Sequence, residues 1–253
     1  FCDGTTEAIQ ALADYELSVG VTTICPATMT FSEEILSGIM KAAASFENKT
    51  GAELVGINME GPFISPAKKG AQNGIYIHKP DVGMFRRLQE ISGGLIKLCD
   101  IAPEQEGSME FIDELKDEVG ISIAHTTADY DIAKEAYDRG ARHATHLYNA
   151  MPPFSHRAPG VVGAACDSDH VRVELICDGV HLHPATVRTT FKMFGDDRIC
   201  LISDSMMATG LSDGDYSLGG QPVKVVGNLA TLADGTIAGS ATNLMDCMRT
   251  AVK

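Results

Sequence analysis

Residues 121–146 read ISIAHTTADYDIAKEAYDRGARHATH, and this stretch holds one complete unit of a fold. A short Ile-rich run (121–125) leads into a polar segment of helical character (129–140), and a second short run (142–146) follows. Short apolar runs alternating with longer helical segments argue for βαβ units and a parallel sheet. The pattern continues in both directions. Upstream, VTTICPATM (21–29), ELVGINM (53–59) and LIKLCDIAP (95–103) read as strands, with helices at FSEEILSGIMKAAASFENK (31–49) and EGSMEFIDELKDEV (106–119). Downstream, VRVELICD (171–178) and ICLISD (199–204) read as strands on either side of the helix HPATVRTTFKMF (183–194). Several of these strands are apolar on both faces, as a sheet covered by helices requires.

Seven strands are visible, and a closed (β/α)₈ barrel needs eight. The predicted fold is therefore an α/β chain of TIM (β/α)₈-barrel type whose first strand lies outside the sequence. The start, FCDGTTEAIQ, has neither an initiator Met nor a charged-then-apolar signal pattern, and it reads as a cut end. The 253 residues suit one large barrel domain spanning 1–253. After residue 210 the texture changes to LSDGDYSLGGQPVKVVGNLATLADGTIAGS, where Gly and Asp turns separate short β-like runs. That predicts a β-hairpin excursion near 211–235 before a final helix near 241–252.

Composition narrows the partners. With 34 acidic and 20 basic residues the net charge is −14, which opposes nucleic acid and anionic membranes while leaving room for a local basic pocket. No apolar run approaches the ~20 residues of a membrane span. The seven cysteines (Cys2, Cys25, Cys99, Cys166, Cys177, Cys200, Cys247) include no C-x-x-C pair and lie mostly in apolar runs. They read as buried reduced thiols of a cytoplasmic protein.

In parallel barrels the chemistry sits where strands end. The predicted strands end at Glu60 (NMEGPF), His125, His146, CDGVHLH and Asp204 (ISDSM). Taken singly, a strand-end carboxylate is usually capped or salt-bridged and a lone His is usually a satisfied core residue. Four such residues at four strand ends of one barrel favour a site. One carboxylate and two neutral imidazoles suit Zn²⁺ or another divalent first-row ion, with Fe²⁺ and Co²⁺ as alternatives, and leave a position for water. Asp204 is then free to take a proton from water that the ion acidifies. His78 and His170 read as surface histidines, Met206 and Met207 as packing at the mouth, and GLSDGDYSLGG as turns rather than an ion- or phosphate-binding loop. If 142–146 is extended, His143 and His146 point to opposite faces and do not share an ion.

Six segments, NMEGPFISPAKKGAQN, AHTT, HATHLYNAMPPFSHRAPG, ICDGVHLHP, ISDSMMATG and TIAGSATNL, occur in this order across most of the chain. Together they resemble the N-acetylglucosamine-6-phosphate deacetylases of the amidohydrolase superfamily. The resemblance implies a metal-dependent TIM-barrel hydrolase, usually a cytosolic homodimer, that cleaves the acetamide of N-acetylglucosamine 6-phosphate to glucosamine 6-phosphate and acetate. By motif, Glu60, His125 and His146 would hold the metal, and Asp204 would be general base and then general acid. Substrate contacts would come from Ala71, Gln72, Asn149, Ala150, Arg157, His181 and Ile237, Ala238 and Gly239. Arg157 offers a planar fork suited to phosphate, and His181 is placed to steer the acetamide. Three features depart from the common pattern. The family's first strand, with its His-x-His pair, and its small flanking β-sandwich fall outside the sequence; Gln72 stands where many members have His; and SDSM replaces Thr-Asp-Ala. Alternative readings are another amidohydrolase, such as a deaminase or cyclic amidase, or a catalytically silent sugar-phosphate-binding fragment. His143 and His156 read as packing and loop-shaping residues, with Pro152, Pro153 and Pro159 stiffening the loop.

Overall fold

The βαβ unit read at 121–146 forms as β5 (Gly120–Ile123), α5 (Tyr130–Arg139) and β6 (His143–Ala144) in a computed structural model that describes residues 1–253. Asp129 caps α5 by accepting the Ile132 N–H, and Ala133, Ala136 and Tyr137, spaced for one helical face, are buried against the sheet. The remaining units repeat the plan. In chain order they are α1 (Thr6–Ser18), β1 (Thr23–Ile24), α2 (Glu33–Ala44), β2 (Glu53–Leu54), β3 (Ile57–Met59), α3 (Val82–Ile91), β4 (Ile96–Ile101) and α4 (Ser108–Leu115). After β6 come α6 (Gly160–Cys166), β7 (Arg172–Ile176), α7 (Pro184–Phe194) and β8 (Ile199–Ile202).

β3 to β8 pair in sequential order, all parallel, as the curled wall of a TIM-type barrel. β1 extends that wall through its parallel pairing with β2 and a bridge between Ala27 and Asn58. A single cluster of 40 buried side chains, including Ile57, Phe63, Phe85, Phe111 and Tyr137, fills the space between strands and helices. No helix is long and apolar enough to cross a membrane.

Several expectations change in detail. The run at 21–29 keeps only two ladder residues, because Pro26 has no N–H to give; its carbonyl still accepts from Asn58 N at 3.0 Å. The strand at 53–59 is broken at Val55–Gly56, beside a register shift at Ile57/Asn58. The helix expected to reach residue 49 stops at Ala44, since Asn48 bonds the backbone of Gly51 and Ala52 and builds a turn instead. Cys25 and Cys200 are exposed rather than buried, because they lie on or beside β1 and β8, the two margins of the sheet; all seven cysteines are free.

The segment after β8 is larger than a hairpin. β9 (Gly214–Leu218), β10 (Gln221–Val226), β11 (Leu229–Thr231) and β12 (Ile237–Ser240) form an antiparallel sheet of four strands before α8 (Leu244–Ala251). Along β10, Val223 and Val225 turn inward while Lys224 and Val226 face out, and six buried residues (Met206, Ala208, Val223, Val225, Ala230, Ala238) make its separate core. Met206 thus packs under this sheet, whereas Met207 is exposed. Contacts that moor the sheet to the barrel include a parallel bridge from Ser240 to Ser205, just past β8, and a hydrogen bond from the Gln221 amide to the Ala71 carbonyl, in the loop after β3.

Candidate functional site

The residues singled out at strand ends share one geometric relation to the sheet. His125, His146, Asp178 and Asp204 each stand two positions past the end of β5, β6, β7 and β8, and Glu60 stands one past β3. Their backbone is unusual too. Five non-glycine residues in the chain have positive φ: His125 (44°), His146 (34°), Tyr148 (77°), Ala150 (50°) and Asp204 (49°). A side chain in that region costs energy, and such strain collects where a fold must aim particular groups. Here it turns the chain sharply at the barrel mouth.

Glu60, His125 and His146 come together in a buried cluster whose donor atoms lie within 4.8 Å of one another. His125 Nε2 is 2.8 Å from Glu60 Oε1 and 3.1 Å from His146 Nε2, and His146 Nε2 is 3.6 Å from Glu60 Oε1. His125 Nδ1 lies 2.8 Å from the Lys68 carbonyl, which can only accept, so Nδ1 carries a proton and Nε2 is the nitrogen turned to Glu60 and His146. His146 Nδ1 is buried without a partner, so that ring engages the site through Nε2 alone. Two imidazole nitrogens and a carboxylate turned on one another demand positive charge between them. Burial works against ionising Glu60, but the His125 ring bonded to it and the His146 ring beside it hold it well below the usual carboxylate range. Burial also works against charge on His146, yet the Glu60 carboxylate beside it and the other nearby acidic charges hold it up at about 10. The donor set and its charge fit a divalent cation such as Zn²⁺.

Local packing fixes these groups. The Gln72 amide donates to Glu60 Oε1 at 3.1 Å, and its own oxygen accepts the Thr30 N–H at 2.7 Å. Gln72, expected on the substrate, is buried and bonds Glu60 directly. Gly61 follows with φ 83°, and a Cβ there would stand 2.1 Å from Thr30 Oγ1, so no other residue fits without moving Thr30. His143 turns inward to Glu174 at 2.9 Å, and the other Glu174 oxygen takes the His146 N–H at 3.3 Å. The two histidines of HATH are thus separated, though by the end of β6 at Ala144 and the left-handed turn at His146 rather than by one extended run. Beneath them Asp100 accepts from Thr145 and Asn58; burial first, then the charges of Glu60 and Glu174, push its carboxyl well above the usual range.

On the opposite side of the mouth, Asp178 accepts from His181 Nδ1 at 2.7 Å and from Ser240 Oγ at 3.0 Å. Burial opposes its charge, but the bonds from the His181 ring and from backbone N–H groups outweigh burial and hold it at about 2. Ser240 also gives its N–H to the Asp204 carbonyl at 2.8 Å. The Asp204 carboxyl is pushed above its ordinary range by burial first and the Glu60 charge second, the direction that suits a group exchanging protons near neutral pH.

The other expected contacts fall into three groups. Gly239 (φ 68°) lies against Asp204, where a Cβ would stand 3.2 Å from the carbonyl oxygen. Ala238 is buried in the antiparallel sheet and Ala71 packs on it, so their side chains face protein, while Ile237 is exposed. The Asn149 amide donates to the His146 and Leu147 carbonyls and shapes its own turn, next to Ala150, whose carbonyl accepts the Thr126 N–H. Arg157, like His156, sits on the exposed loop after Pro153, and Arg157 makes no ion pair. Sequence reasoning missed Asp178, Glu174 and the bond from Gln72 to Glu60. An Asp three residues before the His of DGVH was the one local signal.

The amidohydrolase family profile matches residues 6–253. Among curated relatives, the N-acetylglucosamine-6-phosphate deacetylase of Bacillus subtilis (strain 168) is 45% identical over 229 residues, covering 90% of this chain and 58% of its own length. The crystal structure of N-acetyl-D-glucosamine-6-phosphate deacetylase from Mycobacterium smegmatis superposes with a TM-score of 0.92 at 33% identity, covering 99% of this chain and 66% of that one. The D267A mutant of the Mycobacterium smegmatis enzyme, in complex with N-acetyl-D-glucosamine-6-phosphate, superposes at 0.86 with 35% identity, covering 92% of this chain and 61% of that one. The chain thus spans less than two thirds of the length of each.

Proposed function

Because the chain belongs to the amidohydrolase family, we propose that the protein it represents hydrolyses the acetamide of N-acetylglucosamine 6-phosphate, giving glucosamine 6-phosphate and acetate. The observation that carries this reading is the convergence at one barrel mouth of a buried Glu60–His125–His146 cluster and a carboxyl, Asp204, with a raised pKa. In this reading those three residues hold the metal, for which imidazole and carboxylate donors favour Zn²⁺. When bound, a divalent ion there supplies Lewis acidity, polarising a carbonyl and acidifying water.

The chain's own residues do the rest. Asp204 takes a proton from the attacking water and later delivers it to the amide nitrogen as the C–N bond breaks, so the products are a free amine and acetate. Its raised pKa suits both halves of that exchange. His181 orients the acetamide beside Asp204, and Gln72 holds Glu60 rather than the sugar. Arg157, with no acidic partner of its own, is available to the phosphate, and this favours a sugar phosphate over the neutral ring of a deaminase or cyclic amidase substrate. A homodimer in the cytoplasm is part of the same reading and rests on the family resemblance.

Acetate release from N-acetylglucosamine 6-phosphate by full-length, zinc-loaded protein tests the proposal. Turnover that falls by ~10²–10⁴ in Asp204→Asn, with the metal retained, supports it. Release no greater than that of Asp204→Asn overturns it.

A further inference from the structure

Between the end of β7 and β12, four donors converge on one carboxylate. Asp178 Oδ1 accepts the backbone N–H groups of Val180 and His181, both at 2.9 Å. Asp178 Oδ2 accepts from His181 Nδ1 at 2.7 Å and from Ser240 Oγ at 3.0 Å. The Asp178 side chain has no exposed surface, and these four bonds are the hydrogen bonds it makes. A carboxylate that receives four donors can only accept, and His181 Nδ1 must therefore carry a proton. Nε2, which no protein group bonds, is left as the open nitrogen of the ring. Ser240 binds the Asp204 carbonyl with its own N–H, which sets the whole arrangement beside Asp204.

We propose that Asp178 is a positioning residue that fixes both the rotation and the tautomer of His181, presenting Nε2 to the substrate acetamide, with Ser240 locking the carboxylate from β12. The proposal rests on the reading of His181 as a substrate group. Shaping the loop after β7 would account for the two backbone bonds on Oδ1. It does not account for Oδ2, which gathers an imidazole and a hydroxyl from 62 residues away. The pairing follows the logic of the buried aspartate in a hydrolase triad, which holds a histidine in the working tautomer, although here the histidine faces no nucleophilic serine.

Asp178→Asn separates positioning from shape. Asn keeps the outline but has one acceptor oxygen and one NH₂ group. The two backbone N–H groups claim the oxygen, the NH₂ then faces His181 Nδ1, and Nδ1 must accept. The ring proton moves to Nε2. Long-range ¹H–¹⁵N correlation spectra of the full-length protein in mildly alkaline buffer read this directly, with His181 assigned by the signal missing from His181→Gln. Wild type is expected to show the Nδ1–H tautomer and Asp178→Asn the Nε2–H tautomer, with and without zinc.

In turnover of N-acetylglucosamine 6-phosphate, Asp178→Asn should lower kcat by ~100-fold or more with KM changed less than ~3-fold. Ser240→Ala should keep the tautomer and lower kcat by less than ~10-fold. An Nε2–H tautomer in wild type overturns the proposal even if the variants fail to fold, and so does an inverted tautomer in Asp178→Asn with kcat unchanged. If wild type releases no acetate, the deacetylase reading falls, while the two spectra still decide whether Asp178 sets the ring.

Discussion

Glu60, His125 and His146 hang from β3, β5 and β6, in the body of the parallel sheet, whereas Asp178, His181 and Asp204 hang from β7 and β8 and lean on β12. The first group is braced by the barrel itself: Lys68, Gln72 and Glu174 hold its members, above a core of 40 buried residues. The second group depends on an antiparallel sheet whose own core has six. In the proposed function, holding a cation and moving a proton would therefore rest on supports of different size, and mutation should separate them.

The largest effect should come from breaking the metal side. His146→Ala removes one of three donors, and metal analysis by mass spectrometry should find bound zinc lost and turnover abolished, while circular dichroism keeps the helix signal. Zinc that stays stoichiometric would move the ligand set elsewhere. Gln72→Ala should act on the same side more gently. It leaves Glu60 without its strut and should weaken zinc affinity by ~10–100-fold in a competition titration with a chelator. If Gln72 instead touched only the sugar, affinity for the metal would not move and KM would.

Arg157 lies outside both groups, which sharpens the contrast. Arg157→Ala should raise KM for the phosphorylated sugar by ~10-fold or more, with zinc content unchanged, because a charge-assisted bond to phosphate contributes roughly 1.5–3 kcal/mol. KM for the unphosphorylated sugar should stay where it was. The smallest effect belongs to the second support. Val225→Ala in the small sheet should cost roughly 1–2 kcal/mol of local stability, lower kcat a few-fold and leave zinc affinity untouched; an equal loss of zinc would show that the two sides are one.

The barrel wall is legible in the sequence because each strand is a short apolar run and each helix, as in α5, keeps one apolar face. Where that periodicity is missing, the reading fails. α6 is buried all round from Gly160 to Ala165, with only Cys166 partly exposed, so it offers no amphipathic stripe to find. The strands are shorter than their runs because a curled sheet bonds only the few residues that face each neighbour, as with His143 and Ala144 in β6. Glu60, His125, His146 and Asp204 are legible from their place at strand ends, since β-strand periodicity and barrel geometry together say where those ends meet, whereas the substrate candidates rest on the motif resemblance alone. The struts are not. Gln72 reaches back 12 residues to Glu60, and Ser240 reaches 62 residues back to Asp178; neither contact leaves a local pattern. Arg157 shows the opposite limit, since a residue can be marked by motif while the fold leaves it in solvent.

The most direct measurement is anomalous diffraction at the zinc edge from crystals of the full-length, zinc-loaded protein. A single strong peak at ~2.0–2.2 Å from Glu60 Oε1, His125 Nε2 and His146 Nε2, with Asp204 and His181 on the facing side, is the result expected. A peak held by other residues, or none in protein that binds zinc stoichiometrically in solution, would contradict the account.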